Sequence, residues 1–332
     1  MNTTKLIAVI ATLCIAIEST LQTAPFAYVT IEGDDNVSVI ATASNTVIAT
    51  VPVGSEPFEV AITPDGQFAY VTNGSSNNVS VIATASNTVI ATVPVGIQPI
   101  GVAITPDGQF AYVANFGHNN VSVIATASNT VIATVPVGID PFGVAITPDG
   151  QFAYVTNSSS SNVSVIATAS NTVIAVPVGI QPIGVAITPD GQFAYVTNGG
   201  SSNVSVIATE SNTVIATVPV GFNPFGVAIT PQVQPPTNLH GKQIENISFN
   251  KTTLTNEITW NPPRFNSSPI TGYNIYRDAA LTDLAGSVPA NKKLEFEDPY
   301  RKKHHIYTYY IVSVDEFGNI SQTSTITVEP VV

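Results

Sequence analysis

The feature that most constrains this chain is the block ITPDGQFAYVTNGSSNNVSVIATASNTVIATVPVG at residues 62–96, which recurs almost letter for letter roughly every 42 residues as far as residue 231. Each copy contains four short runs of β-branched and aromatic residues separated by turn chemistry, the pattern of an antiparallel meander. In the first complete copy strand A is expected over 58–63, B over 68–73, C over 79–83 and D over 88–95. Thr63-Pro64-Asp65-Gly66 supplies the A–B turn, because proline presets φ and glycine permits a left-handed exit. Ala85-Ser86-Asn87 closes C onto D. No segment carries a helical period.

Four-stranded units at this spacing predict a β-propeller, in which each blade buries both faces against its neighbours. Strand C alternates Val79 and Val81 with Ser80 and Ile82, so neither face is strongly polar. Strand A carries small residues such as Gly101 and Ala103, suited to a crowded axis. Strand D ends in Pro94, which an outer edge tolerates. The fourth D strand lacks one residue, a loss that would flip the downstream alternation and is least damaging at an edge.

The segments AYVTN at Ala69, Ala153 and Ala194, with AYVAN at Ala111, resemble the YVTN-family β-propeller repeat over residues 26–231. Proteins of that family are often exported or displayed at the cell surface, some in association with surface layers. The resemblance therefore implies a secreted or cell-surface setting. Related propellers typically have seven blades, and the count here departs from that. The array opens on a B strand at Phe26 with no A before it and closes on an A strand at Phe225 with no B after it. The expectation is a closed five-bladed ring latched by its own ends, with an open arc closed by a partner or by self-association as the alternative.

Charge divides the chain. Nine of the ten basic residues lie beyond Gln234, whereas the array holds eleven acids and no lysine or arginine. Such a surface repels phosphate backbones and anionic lipid, which argues against nucleic acid or membrane as partner. The single cysteine, Cys14, lies in a leader with a basic start at Lys5 and an apolar core over 6–17. Residues 1–24 read as a signal peptide, too short in its apolar part to span a bilayer, and no disulfide is available as a staple.

Differences among the copies concentrate in the B–C and D–A loops, which a meander places on one face. That face is the expected binding surface, with Glu32, Asp34, Asp35, Glu56, Glu59, Gln98, Phe116, His118, Asp140, Gln181, Phe222 and Asn223 as candidate residues. Glu32, Asp34, Asp35 and Glu56 would be brought into one sector by ring closure and could offer hard oxygen ligands to Ca²⁺, although their spacing matches no calcium loop. No other cofactor is expected. His118, His240, His304 and His305 form no catalytic constellation. The Asn-Val-Ser tripeptides at Asn36, Asn78, Asn120, Asn162 and Asn203 fit a glycosylation pattern and also recur simply because the repeat does.

After a stiff linker at 232–236, residues 237–332 resemble a fibronectin type III domain in EITWNPP at 257–263, ITGYNIYR at 270–277 and YTYYIVSVDEFGN at 307–319. The resemblance implies a β-sandwich with Trp260 in its core and Tyr307 forming the tyrosine corner. Arg301, Lys302, Lys303, His304 and His305 make a basic patch in the preceding turn. The expected function is a non-enzymatic surface scaffold that binds a protein or glycan. The alternatives are a propeller enzyme of lactonase or lyase type, and a structural envelope component without a ligand.

Overall fold

The structure, a computed structural model, describes residues 25–230, 233–248, 251–263, 269–316 and 318–331. The expected signal peptide lies outside these. Among the described residues no helix is long and apolar enough to cross a membrane.

The array is a series of antiparallel meanders of propeller type. Blade I has three strands, β1 (Phe26–Ile31), β2 (Asn36–Ala41) and β3 (Thr46–Pro52). Blade II has four: β4 (Pro57–Ile62), β5 (Phe68–Asn73), β6 (Asn78–Ala83) and β7 (Thr88–Pro94). Blade III repeats this as β8 (Pro99–Ile104), β9 (Phe110–Asn115), β10 (Asn120–Ala125) and β11 (Thr130–Pro136). Blade IV is β12 (Pro141–Ile146), β13 (Phe152–Asn157), β14 (Asn162–Ala167) and β15 (Thr172–Pro177). Blade V is β16 (Pro182–Ile187), β17 (Phe193–Asn198), β18 (Asn203–Ala208) and β19 (Thr213–Pro219).

The strand alternation explains the packing. Tyr70, Val79, Val81 and Val93 leave one face of blade II and meet Val102, Ala111, Val113 and Ile124 of blade III, all buried. The same layer joins blade I to II, III to IV and IV to V. Each such valine or isoleucine contributes about 1.5–3 kcal/mol by leaving water, so every internal blade is held from both sides.

Two sequence patterns acquire structural reasons. Asn73, fully buried, donates through Nδ2 to Asn78 Oδ1 at 2.7 Å and to Ser80 Oγ at 2.9 Å, and blades III to V repeat the pair of bonds. The Asn-Val-Ser tripeptide is therefore an internal polar ladder. The short fourth D strand is the second case. The other outer pairs carry a β-bulge, as between Val123 and Ile124, and the β14–β15 pair does not. The deletion removes the bulge, so Val176 still faces Val163 as Val135 faces Val121, and the expected flip of alternation does not occur.

The expected self-latched five-bladed ring is corrected. Residues 224–230 form no strand, and blade I is three-stranded among the described residues. A Cβ on Gly101, Gly143 or Gly184 would meet a carbonyl of the next inner segment at 2.2, 2.6 and 2.5 Å, whereas a Cβ on Gly226 would meet nothing within 4 Å. Gly54, Gly96, Gly138 and Gly179 pack in the same way against asparagine side chains of the next blade, while Gly221 has no neighbour. The array is an open arc.

The C-terminal sheets are a three-stranded one of β20 (Thr237–Ser248), β21 (Lys251–Asn261) and β24 (Glu295–Arg301), and a four-stranded one ordered β23 (Leu284–Pro289), β22 (Ile270–Tyr276), β25 (Tyr307–Asp315) and β26 (Ser324–Val328). They share one core with Trp260 against Tyr273, ring centroids 5.4 Å apart. Tyr307 closes the preceding turn, its hydroxyl accepting from Lys302 N–H at 2.9 Å. The basic patch is partly engaged: Arg301 reaches the buried Asp298 and lies over the Tyr307 ring. Asp298 is held by Arg277 through two bonds of 2.9 and 3.0 Å and by Tyr309 at 2.8 Å. Burial opposes its charge, but these partners hold its pKa below the ordinary value.

Candidate functional site

The B–C and D–A loops share one face, as the meander requires, and bond directly to each other: Gly74 N–H to Glu56 O at 2.8 Å, Phe116 N–H to Gln98 O at 3.0 Å, Ser158 N–H to Asp140 O at 2.9 Å. Most polar candidates are consumed in building that face. Glu56, Gln98, Asp140, Gln181 and Asn223 each occupy the left-handed position of a tight D–A turn, with φ of 55, 53, 56, 57 and 52°. Asp35 Oδ1 accepts Glu56 N–H at 2.9 Å, and Asn77 and Asn119 do the same for Gln98 and Asp140. The Glu56 carboxylate accepts from Ser75 and that of Asp140 from Ser159.

His118 has a similar role. Its Nδ1 accepts Ile97 N–H at 3.1 Å, where Ser76, Ser160 and Ser201 accept from Ser55, Ile139 and Ile180. The histidine is a loop clamp standing in for serine. Glu32 and Asp34 lie exposed in a 3₁₀ turn at Glu32–Asp34. Among the described residues no group of three or more His, Cys, Asp or Glu could hold a metal ion, so the acids proposed for Ca²⁺ are not brought together as a site.

The structure instead assembles an aromatic collar that the candidate residues only touch. Inner strands begin Pro-Phe in alternate copies and Pro-Ile in the others. Phe142 consequently receives Phe58 and Phe225 edge-on at 5.7 Å each, and Phe116 from a B–C loop at 6.4 Å. Such edge-to-face pairs add about 0.5–1.5 kcal/mol beyond burial. Phe58 and Phe225 remain exposed. Ile97, Ile139 and Ile180, first residues of the D–A loops, extend the apolar rim outward, and Phe222 is 94% exposed. The sequence signal that could have found the collar is this Phe/Ile alternation, visible only when strand A is compared copy by copy.

One acid follows a collar residue on an inner strand. Glu59 stands where blades III to V and the 224–230 segment carry Gly101, Gly143, Gly184 and Gly226. Its Oε2 accepts Val102 N–H from the neighbouring inner strand at 3.0 Å, and its own N–H donates to Thr72 Oγ1 at 3.0 Å. The side chain is open to solvent on one side yet crowded by protein on the others. Crowding raises its pKa by desolvation, and the Val102 bond partly offsets the rise. A carboxylate in this state can hold or accept a proton beside an apolar ligand.

Two clefts lie on the opposite face. One of about 390 Å³ lies between blades IV and V, lined by Thr147, Asp149, Phe152, Asp190, Phe193 and Glu210 among others, and a second lies between blades II and III. Their aspartates serve the turns. In the PDG turn of blade II, Asp65 Oδ1 accepts Thr63 Oγ1 at 2.6 Å and Gln67 N–H at 3.0 Å, and the other three blades repeat both bonds. The Thr63 and Thr105 hydroxyls, with those backbone donors, lower the pKa of Asp65 and Asp107.

Comparison with known proteins agrees with a propeller. Residues 89–173 match the family model described as lactonase, 7-bladed beta-propeller, a minority of the chain. That family's blade number exceeds the five sheets of this array. No curated protein matches. Among solved structures, a functionally unknown protein from Desulfotomaculum acetoxidans is 17% identical with a TM-score of 0.55, covering 92% of this chain and 99% of its own. Dihydro-heme d1 dehydrogenase NirN is 14% identical with a TM-score of 0.51, covering 91% of this chain and 63% of its own. Kuenenia stuttgartiensis hydrazine synthase is 22% identical with a TM-score of 0.48, covering 80% of this chain and 64% of its own. The structural likenesses show the fold alone, and the partial family match favours the propeller-enzyme alternative over the expected non-enzymatic scaffold.

Proposed function

We propose that the axial mouth is the working site and that the chain is a hydrolase of lactonase type acting on a small uncharged cyclic ester. The observation that carries this reading is Glu59, the one acid on the described inner strands, next in sequence to Phe58 of the collar and bonded to the neighbouring inner strand at Val102, with a raised pKa. The collar would hold the ring of the ester, and Glu59 would take a proton from water as its oxygen adds to the ester carbonyl. The ring C–O bond then breaks and the departing oxygen recovers the proton, giving a hydroxy acid. The partial match to the lactonase family supports the reaction class.

A second reading keeps the same face and omits the chemistry: a scaffold that docks a protein or a glycan on the exposed rim of Ile97, Ile139, Ile180 and Phe222. The setting we infer is outside the cytoplasm or on the cell surface, supported by the basic-then-apolar leader and by the resemblance of the AYVTN segments to a family often displayed there. The C-terminal sandwich then acts as a fibronectin-type spacer, a reading supported by its strand order, the Trp260 core and the Tyr307 turn bond. A panel of γ- and δ-lactones followed by acid release separates the two functions. The hydrolase reading expects turnover that Glu59→Gln abolishes while Tm is unchanged. Absence of turnover, with glycan or protein binding that Glu59→Gln leaves intact, would establish the scaffold.

A further inference from the structure

The two open ends of the arc are complementary to each other, and the chain itself contains the template four times over. At each internal junction the outgoing face of one blade meets the incoming face of the next. The outgoing set in blade II is Tyr70, Val79, Val81 and Val93, and the incoming set in blade III is Ala111, Val113 and Ile124. In blade V the outgoing set is Tyr195, Val204, Val206 and Val218. Val218 is 45% exposed, whereas Val51, Val93, Val135 and Val176 at the same position are 2–3% exposed. In blade I the incoming set is Ala27, Val29 and Ile40. Val29 is 41% exposed, whereas Val71, Val113, Val155 and Val196 are completely buried.

The backbone is complementary as well. Residues 224–230 already lie where the next blade's inner strand belongs, since Thr197 Oγ1 donates to Phe225 O at 2.7 Å just as Thr72 and Thr156 bond Ile100 O and Ile183 O. Among the described residues, blade I lacks only that strand. In blade II the inner pair aligns Val60 with Val71, Ala61 with Tyr70 and Ile62 with Ala69. Transferred to the open ends, this register sets Val227 opposite Val29, Ala228 opposite Tyr28 and Ile229 opposite Ala27. It also brings Tyr195 Oη to Asn45 Oδ1, the bond Tyr28 makes to Asn87 and Tyr70 to Asn129. Asn45 is exposed, whereas Asn87, Asn129 and Asn212 are half-buried.

The structure assigns the occupant of these ends: a second copy of this chain, joined end to end, with segment 224–230 of one copy completing the first blade of the next. The copy's own first blade does not fill this place, since a Cβ on Gly226 or Gly221 would meet nothing within 4 Å. The contact is heterologous, so copies add in a row or a ring rather than stopping at a two-fold pair. It is an edge-strand addition stabilised by a buried side-chain layer.

Cysteine pairing tests the register, because partners across antiparallel strands lie within the Cα distance a disulfide spans. In a full-length Cys14→Ser background, Val29→Cys and Val227→Cys chains are prepared separately, mixed and oxidised. Neither valine is fully buried in the single chain, so both variants keep the fold. A covalent dimer is expected from the mixture and from neither variant alone, and a ladder of linked copies from the chain carrying both cysteines. Sedimentation of the unsubstituted chain is expected to show mass rising with concentration, and Val29→Arg to hold it at one copy. An internally linked single chain from the double variant would overturn the inference in favour of self-closure. No cross-link in the mixture, or a concentration-independent single copy, would overturn it outright.

Discussion

The hydroxyl of Tyr154 donates to the side-chain carbonyl of Asn212 at 2.6 Å, joining strand β13 of blade IV to the C–D turn of blade V. Tyr28 and Tyr70 make the corresponding bonds to Asn87 and Asn129. Each bond pins an otherwise apolar blade junction at its rim, with the tyrosine ring buried and only the hydroxyl needing a partner. One junction breaks the rule. Asn171 Oδ1 is buried with no partner among the described residues, and Asn171 belongs to the turn that leads into the unbulged β15. Removing one residue from the outer strand preserved its valine register and withdrew the asparagine from Tyr112.

A contrast between two tyrosines follows. Tyr154→Phe removes one partner of a buried bond and is expected to cost about 1–2 kcal/mol, because Asn212 is left unsatisfied. Tyr112→Phe removes a hydroxyl with no such partner and should cost less than about 0.5 kcal/mol on the same reasoning. Denaturant unfolding of the two variants measures the difference. Equal losses would mean that the tyrosine–asparagine bond does not hold the junctions together.

The turn aspartates set the acid limit of stability. Asp65 and Asp107 have pKa values lowered chiefly by the Thr63 and Thr105 hydroxyls. A depressed folded pKa stabilises the fold above the ordinary aspartate value of about 3.9, and that contribution is lost as pH falls through the lower folded value. Melting temperature is therefore expected to hold from neutrality to about pH 4 and to fall below it. Asp65→Asn should lower Tm at neutral pH and narrow its gap to the parent protein at pH 3. A gap independent of pH would remove the carboxylate from the explanation.

Much of the fold was legible because the repeat states it several times. Strand positions in blade II were readable to within a residue, since proline and glycine mark the A–B turn and the β-branched runs end where Asn and Ser cluster. Closure was not legible. Two fragments that complete one blade on paper carry no information on whether curvature brings them together in one molecule, and the open space beyond the Cβ position of Gly226 shows that it does not. At the site, the variable polar residues were visible and their role was not. Gln98, Asp140 and Gln181 vary because a left-handed turn position accepts several polar residues. The residues that gather at the axis, Phe58, Phe142 and Phe225, lie two copies apart, so local patterns do not reveal that their rings meet.

The inner-strand glycines give the last prediction and the most direct reading of the arc. A Cβ on Gly143 would sit 2.6 Å from Ile183 O, a backbone atom that cannot move aside without displacing β16. Gly143→Ala is therefore expected to destabilise the array by about 1–3 kcal/mol, the range for overpacking a filled interior. Gly226 occupies the equivalent position on the 224–230 segment and meets nothing within 4 Å. In dilute solution, where copies are apart, Gly226→Ala should leave the urea midpoint unchanged. As concentration rises and copies join, the same alanine would meet the inner strand of the next copy and should weaken association. A loss from Gly226→Ala as large as that from Gly143→Ala in dilute solution would place a neighbouring strand beside it within one chain, and so restore the closed ring.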